Sequence, residues 1–312
     1  MSKTPKAAPG IKSGRLPALC CLLLAAALSG AGAQSQASRG ELVVRALAAA
    51  YPDRIGAPEV RDGDWAVPLY GIHRGGKPEW YFYAEGRLLP ESLRARWSEY
   101  GMQSFYRYPK SLPPWKPYSR AESADIAKRE KERRGTPARR SHHFYDALFR
   151  ASSKTEAEER VKQICFLGIT TNVHYSILEE LSLVEEKILA LKKTNKAVRD
   201  WVESLKSADA WNWRSVAETE SRSFHSYGTA IDLLPQNLKG LQTYWLWASR
   251  TNPEWWNIPY TKRFHPPKEV IEAFEEQGFI WGGKWFLFDT MHFEYRPEIP
   301  IYSRLAESNE KK

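Results

Sequence analysis

The chain has 312 residues, 42% of them hydrophobic, with 13 Trp and 15 Tyr, which is enough to build one large domain or two small ones around a real core. Three cysteines in this length exclude a small disulfide-stapled scaffold. The net charge of +9 is concentrated in two stretches, and the remainder of the chain is close to neutral.

The first of these stretches is residues 1–33, which predict a signal peptide. Lys3, Lys6, Lys12 and Arg15 form a positive segment without an acid. Leu16 to Leu28 is an apolar run too short to span a bilayer comfortably, and Ala31-Gly-Ala33 supplies small residues for cleavage. The expectation is an exported protein, periplasmic or in the cell envelope, with no stable membrane span after cleavage. Removing this segment takes the charge from +9 to +5 and leaves Cys165 as the sole cysteine. Cys165 sits in Ile164-Cys-Phe-Leu167 and reads as a buried hydrophobe.

Residues 34–40 read as a linker and Glu41–Ala50 as a short helix. Asp64–Tyr70 and Trp80–Ala84 are aromatic and branched enough to be strands, on either side of a Gly-Gly-Lys-Pro turn. Four prolines make Tyr106–Tyr118 an extended connection. The second basic stretch is residues 107–140, with eleven Lys/Arg against four Asp/Glu. Within it, residues 119–140 form either an exposed helix or a flexible loop. A basic patch suits nucleic acid, anionic lipid or an anionic cell-wall polymer. Export argues against nucleic acid and leaves anionic lipid and the wall polymer, with the wall polymer as the candidate partner. His142-His143 follow this run and are expected to be solvent-exposed.

From Ser176, apolar residues recur at three- and four-residue spacing as far as Leu205, interrupted at Asn195, with a capping-box pattern at Ser176 and Glu179. Pro267–Gln277 predicts a second helix, stopped by Gly278. Short strands are expected at Thr229–Leu234, Phe279–Trp281 and Met291–Tyr295. The aromatic run from Trp245 to Tyr260 is expected to be core and rim packing. Helices followed by scattered strands predict an α+β fold, a small and mainly antiparallel sheet with helices packed on it. The predicted organisation is a signal peptide at 1–33, an N-terminal mixed region at 34–150 and a metal-binding domain at 151–312.

Two motifs carry chemistry. Ser223-Phe-His225-Ser-Tyr-Gly228-Thr-Ala230-Ile-Asp232 is followed sixty residues later by Asp289-Thr-Met-His292-Phe-Glu294. A hydrolytic zinc site needs three protein ligands and one open position, and His225, Asp232 and His292 meet that count. One carboxylate against a dication keeps the metal electrophilic. Strand alternation puts His292 and Glu294 on one face and Phe293 on the other. A base must lie within reach of the attacking water. Asp289 is the candidate, Glu294 the other carboxylate available, to orient a ligand or meet a substrate amine. His73, His174 and His265 have no partner pattern.

The first motif resembles, at every fixed position, the S-x-H-x-x-G-x-A-x-D signature of the zinc D-alanyl-D-alanine carboxypeptidase family, which includes VanY-like carboxypeptidases, D-Ala-D-Ala dipeptidases and L-alanyl-D-glutamate endopeptidases. Gly278-Phe-Ile-Trp-Gly-Gly-Lys-Trp285 with Asp289–Glu294 is similar to its second signature. The resemblance spans roughly residues 175–300. It implies a Hedgehog/DD-peptidase-like zinc domain, one Zn²⁺ on His225, Asp232 and His292, Asp289 as base, and peptidoglycan stem peptides as substrate. It also implies an upstream arginine near the scissile carbonyl; Arg214 sits in the matching location, with Arg222 the second candidate. Ser223 matches the motif serine and is expected to contact substrate. A non-catalytic wall-binding or signalling module on the same fold is the alternative. It would be marked by a missing ligand or base, and none is missing.

Overall fold

The computed structural model describes residues 37–71 and 76–311. The predicted signal peptide, Cys20, Cys21 and His73 lie outside the described residues. Helix α1 (Arg39–Ala50) starts where the Ser38 hydroxyl accepts from the Glu41 N–H, and it buries Leu42, Val43, Val44, Ala46 and Leu47. Strands β1 (Glu59–Arg61), β2 (Asp64–Leu69), β3 (Glu79–Ala84) and β4 (Arg87–Pro90) follow and form an antiparallel sheet in that order. The short α2 (Glu91–Arg94) leads to the proline-rich connection.

The charged segment resolves into a helix, α3 (Arg120–Gly135). Ser119 and Glu122 close a capping box at its start. Its polar surface is partly neutralised from within the fold: Arg133 lies 2.9 Å from both Glu130 and Glu218 and sits over the Trp245 ring. Helix α4 (His143–Phe149) corrects the reading of the histidine pair. His142 precedes that helix and bonds Asp146 at 2.7 Å, and His143 begins it and bonds Ser141 at 3.0 Å. Both rings are half-buried and stacked on each other, because a helix start turns adjacent side chains together where a strand would part them.

After α5 (Lys154–Glu158), β5 (Val161–Phe166) and β6 (Ile169–His174) form a two-stranded hairpin. Cys165 is exposed, contrary to the reading as a buried hydrophobe. Only one face of the ribbon is covered, and strand alternation turns Phe166 inward and Cys165 out. The long apolar periodicity divides into α6 (Leu178–Thr194) and α7 (Lys196–Ser204). Asn195 is the cause: its side-chain oxygen accepts from the N–H groups of Ala197 and Val198 and opens a new helix. The Ser176–Glu179 capping box does not form. Ser176 lies in a 3₁₀ turn, Tyr175–Ile177, and its hydroxyl bonds His174 Nδ1 at 2.7 Å.

The second sheet contains β7 (Leu205–Asp209), β8 (Ala230–Pro235), β9 (Phe279–Trp281) and β10 (His292–Tyr295). Its order is β7-β8-β10-β9 and all pairs are antiparallel. Helix α8 (Trp245–Ser249) follows β8, α9 (Lys268–Glu276) precedes β9 and α10 (Glu298–Glu310) follows β10. The molecule is therefore α+β with small antiparallel sheets.

Three of the four apolar clusters among the described residues hold most of these elements. Under the second sheet, Phe293 stacks on Phe274 with ring centroids 4.0 Å apart, among residues from α6, α7 and α9. Trp245, Trp255, Trp256, Ile258 and Phe288 form another, so most of the aromatic run is core, with Trp247 left exposed. The third unites α1, β2 to β4 and α4 with Tyr227, Ile280 and the α10 residues Ile299, Tyr302 and Ala306. Gln36–Lys312 accordingly group as one compact unit.

Gly228 ends the turn that carries His225, at φ 71°. A Cβ there would lie 2.9 Å from the His174 backbone nitrogen and 3.0 Å from Val161 Cγ1. Left-handed strain and this overlap add, so Gly228→Ala should lower unfolding stability by about 2–4 kcal/mol in urea titrations.

Candidate metal centre

The register of β8 against β10 places His292 directly opposite Asp232. Residues facing each other across an antiparallel pair point to the same side of the sheet. His292 Nδ1 lies 2.8 Å from Asp232 Oδ1. The third group arrives on the 3₁₀ turn Phe224–Tyr227, where His225 Nε2 lies 3.1 Å from His292 Nδ1 and 3.3 Å from Asp232 Oδ1. Among the described residues these three are the group able to hold a metal ion. A tetrahedral zinc centre with bonds of ~2.0–2.1 Å separates its donor atoms by ~3.3 Å. The observed triangle is close to that edge, and two imidazoles with one carboxylate are a zinc-type donor set.

Each imidazole has its other nitrogen engaged. His225 Nδ1 donates to the Ala210 carbonyl at 2.5 Å, leaving Nε2 for the centre. His292 Nε2 meets Glu294 Oε2 at 3.2 Å, leaving Nδ1 for the centre. This is the arrangement by which neighbouring acceptors fix a ligating tautomer. The remaining Glu294 oxygen accepts from Arg296 Nη1 at 3.0 Å. Glu294 therefore bonds His292 through one oxygen and Arg296 through the other.

Asp289 lies just before β10, in a loop whose backbone bridges to Tyr244. Its N–H donates to Gly282 O at 3.0 Å, and its own carbonyl would be 2.6 Å from a Cβ on Gly282, so only glycine lets the two chains come this close. Asp289 Oδ1 is buried without a hydrogen-bond partner among the described residues. Burial, and next the Asp232 charge, push its carboxyl up to about 7. His292 is subject to opposed effects. Burial disfavours its charge, but hydrogen bonds to Asp232 and Glu294 outweigh that and raise it to about 10. For Asp232, burial opposes ionisation and the two histidines overcome it, holding the carboxyl well below the usual range.

A cleft of about 390 Å³ opens on His225 and Asp232, lined by Asn172, Asp209, Asn212 and Arg214 among others. The Arg214 backbone is fastened to the His225 turn: its N–H donates to Ser226 Oγ at 2.9 Å, and its carbonyl accepts from Ser223 N at 3.1 Å and Ser226 Oγ at 2.7 Å. Its exposed guanidinium has no carboxylate partner among the described residues and touches only the Ser215 carbonyl, at 3.5 Å. Arg222 is committed elsewhere, in a buried ion pair with Asp146 and over the Trp213 ring. Ser223 is 4% exposed, and its hydroxyl accepts from the His225 N–H at 3.3 Å. In this structure it holds the turn.

Sequence reasoning missed Arg296, Ser226 and the Ala210 carbonyl. Arg296 had a visible signal, since Glu294, Arg296 and Glu298 alternate charge at every second position. The Ala210 contact had none, because any residue supplies a carbonyl.

Residues 217–295 match the family model described as D-alanyl-D-alanine carboxypeptidase. The match contains His225, Asp232, Asp289 and His292 and begins just after Arg214. Residues 43–105 match a model for a domain of unknown function. No curated protein and no solved structure matches the chain.

Ligation requires an unprotonated His292, and hydrogen bonds to Asp232 and Glu294 raise its proton affinity in the metal-free centre, where Asp289 is also raised, to about 7. Zinc affinity should therefore rise with pH, by about tenfold per unit between pH 7 and 9 and more steeply below pH 7. Each ion bound should release about one proton above pH 8 and more than one below pH 7, read by calorimetry in buffers of different ionisation enthalpy.

Proposed function

We propose that this chain is an exported, zinc-dependent peptidase that hydrolyses an amide bond in peptidoglycan stem peptides, of the D-Ala-D-Ala carboxypeptidase or L-Ala-D-Glu endopeptidase type. The observation that carries this reading is the convergence of His225 Nε2, Asp232 Oδ1 and His292 Nδ1 beside the unpartnered Asp289 Oδ1, within a segment matching a D-alanyl-D-alanine carboxypeptidase model. Export rests on the positive, apolar and small-residue pattern of residues 1–33.

His225, Asp232 and His292 would hold the ion. When bound, zinc supplies Lewis acidity, making water a stronger acid and a carbonyl a better electrophile at neutral pH. Asp289 Oδ1 takes the proton of the attacking water and returns it to the departing amine. Burial strengthens this carboxylate as a base, the direction that proton abstraction near neutrality needs. Arg214 presents its unpaired guanidinium to the carbonyl oxygen as charge develops there. Glu294 and the Ala210 carbonyl keep the two imidazoles in the required tautomers.

On purified sacculi, His225→Ala should abolish peptide release, and Asp289→Asn should reduce it by about 10²–10⁴-fold, while urea unfolding of both variants stays cooperative. Mass spectrometry of the products separates loss of a terminal D-Ala from cleavage after L-Ala. Full activity in either variant would overturn the assignment and favour the non-catalytic wall-binding reading.

A further inference from the structure

His292 is the last member of a buried hydrogen-bonded chain that begins just after α1. Tyr51, just after that helix, donates its hydroxyl to Glu298 Oε2 at 2.8 Å. Tyr145 of α4 donates to Glu298 Oε1 at 2.9 Å. Arg296 Nε bonds that same oxygen, its Nη2 donates to the Tyr145 hydroxyl at 3.0 Å, and its Nη1 donates to Glu294 Oε1 at 3.0 Å. Glu294 Oε2 then holds His292 Nε2 at 3.2 Å. Glu298 is 0% exposed, Arg296 5% and Glu294 8%. The Arg296 guanidinium is also sandwiched by aromatic rings, 4.5 Å from Phe224 and 5.2 Å from Tyr145.

Burying three charges is costly, and apolar residues of similar volume commonly serve stability as well or better. Holding the fold together is thus a poor account of this network. What an apolar replacement would not do is fix a carboxylate on His292 Nε2. Arg296 alone spans Glu294 and Glu298, because a guanidinium donates in two directions from one rigid plane.

We propose that Arg296 is a positioning residue for the metal ligand His292, and that through Glu298, Tyr51 and Tyr145 it makes the segment before residue 150 an integral part of the metal centre. This rests on the zinc reading above. Lysine keeps the charge at position 296 but cannot bridge both carboxylates. Arg296→Lys should raise the zinc Kd by about 10–100-fold, the usual effect of losing a partner that orients a ligand. Chelator competition on the full-length protein measures this without activity. The visible spectrum of the cobalt(II)-loaded protein should change in shape and intensity, which a purely structural role for Arg296 would leave alone.

Should Arg296→Lys fail to fold, Tyr51→Phe removes a single hydroxyl at the far end and should still weaken zinc by about threefold, a fraction of one hydrogen bond. Wild-type zinc affinity in either folded variant, with an unaltered cobalt spectrum, would overturn the proposal and leave the peptidase reading standing. A wild-type protein that binds no zinc would overturn both.

Discussion

The pairing of β8 with β10 is the constraint on which the rest depends. It sets His292 opposite Asp232, and a one-residue slip would send one of them to the other face, into the apolar layer of Phe293 and Ile231. The register is therefore held from both sides at once. Phe293 on Phe274 fixes the buried face, and the three converging ligand atoms define the other. Packing and metal chemistry require the same alignment, so neither can drift without the other.

The rest of the site is arranged around that pair by backbone. The His225 turn is fastened to the 212–214 segment through Ser223, Ser226 and the Asn212 N–H. The Asp289 loop is fastened to Gly282. Each functional side chain thus stands on main chain held by at least one further hydrogen bond. Asp289 is the contrast, since its Oδ1 has no hydrogen-bond partner among the described residues. An unsatisfied buried carboxylate oxygen costs stability.

Much of the second sheet was legible in the sequence. Strands near 230, 280 and 293 form where short β-like pieces were expected, and His225, Asp232 and His292 of the two motifs converge. What was not legible is physical in origin. Asn195 divides a continuous apolar stripe because its side chain satisfies two N–H groups, a local effect that periodicity does not see. Ser176 has the partners for a capping box, yet its hydroxyl turns to His174, a residue fixed by tertiary structure. Cys165 looked buried by its neighbours and is exposed because its hairpin is covered on one side only. Arg214 and Arg222 were separable only by their partners, since the ion pair to Asp146 removes one of them. The contribution of the N-terminal segment was invisible, because nothing local joins Tyr51 to Glu298 across 247 positions.

That separation has a consequence for how the chain reaches its folded state. Ala37 and Asn309 exchange two hydrogen bonds, and the apolar face of α1 shares its cluster with Ile299, Tyr302 and Ala306 of α10. The apolar face of α1 is therefore completed only once α10 has been made. That face has no complete partner until some 250 residues have followed, a long loop to close before the contact rewards it. During that interval the segment is an open substrate for chaperones and proteases.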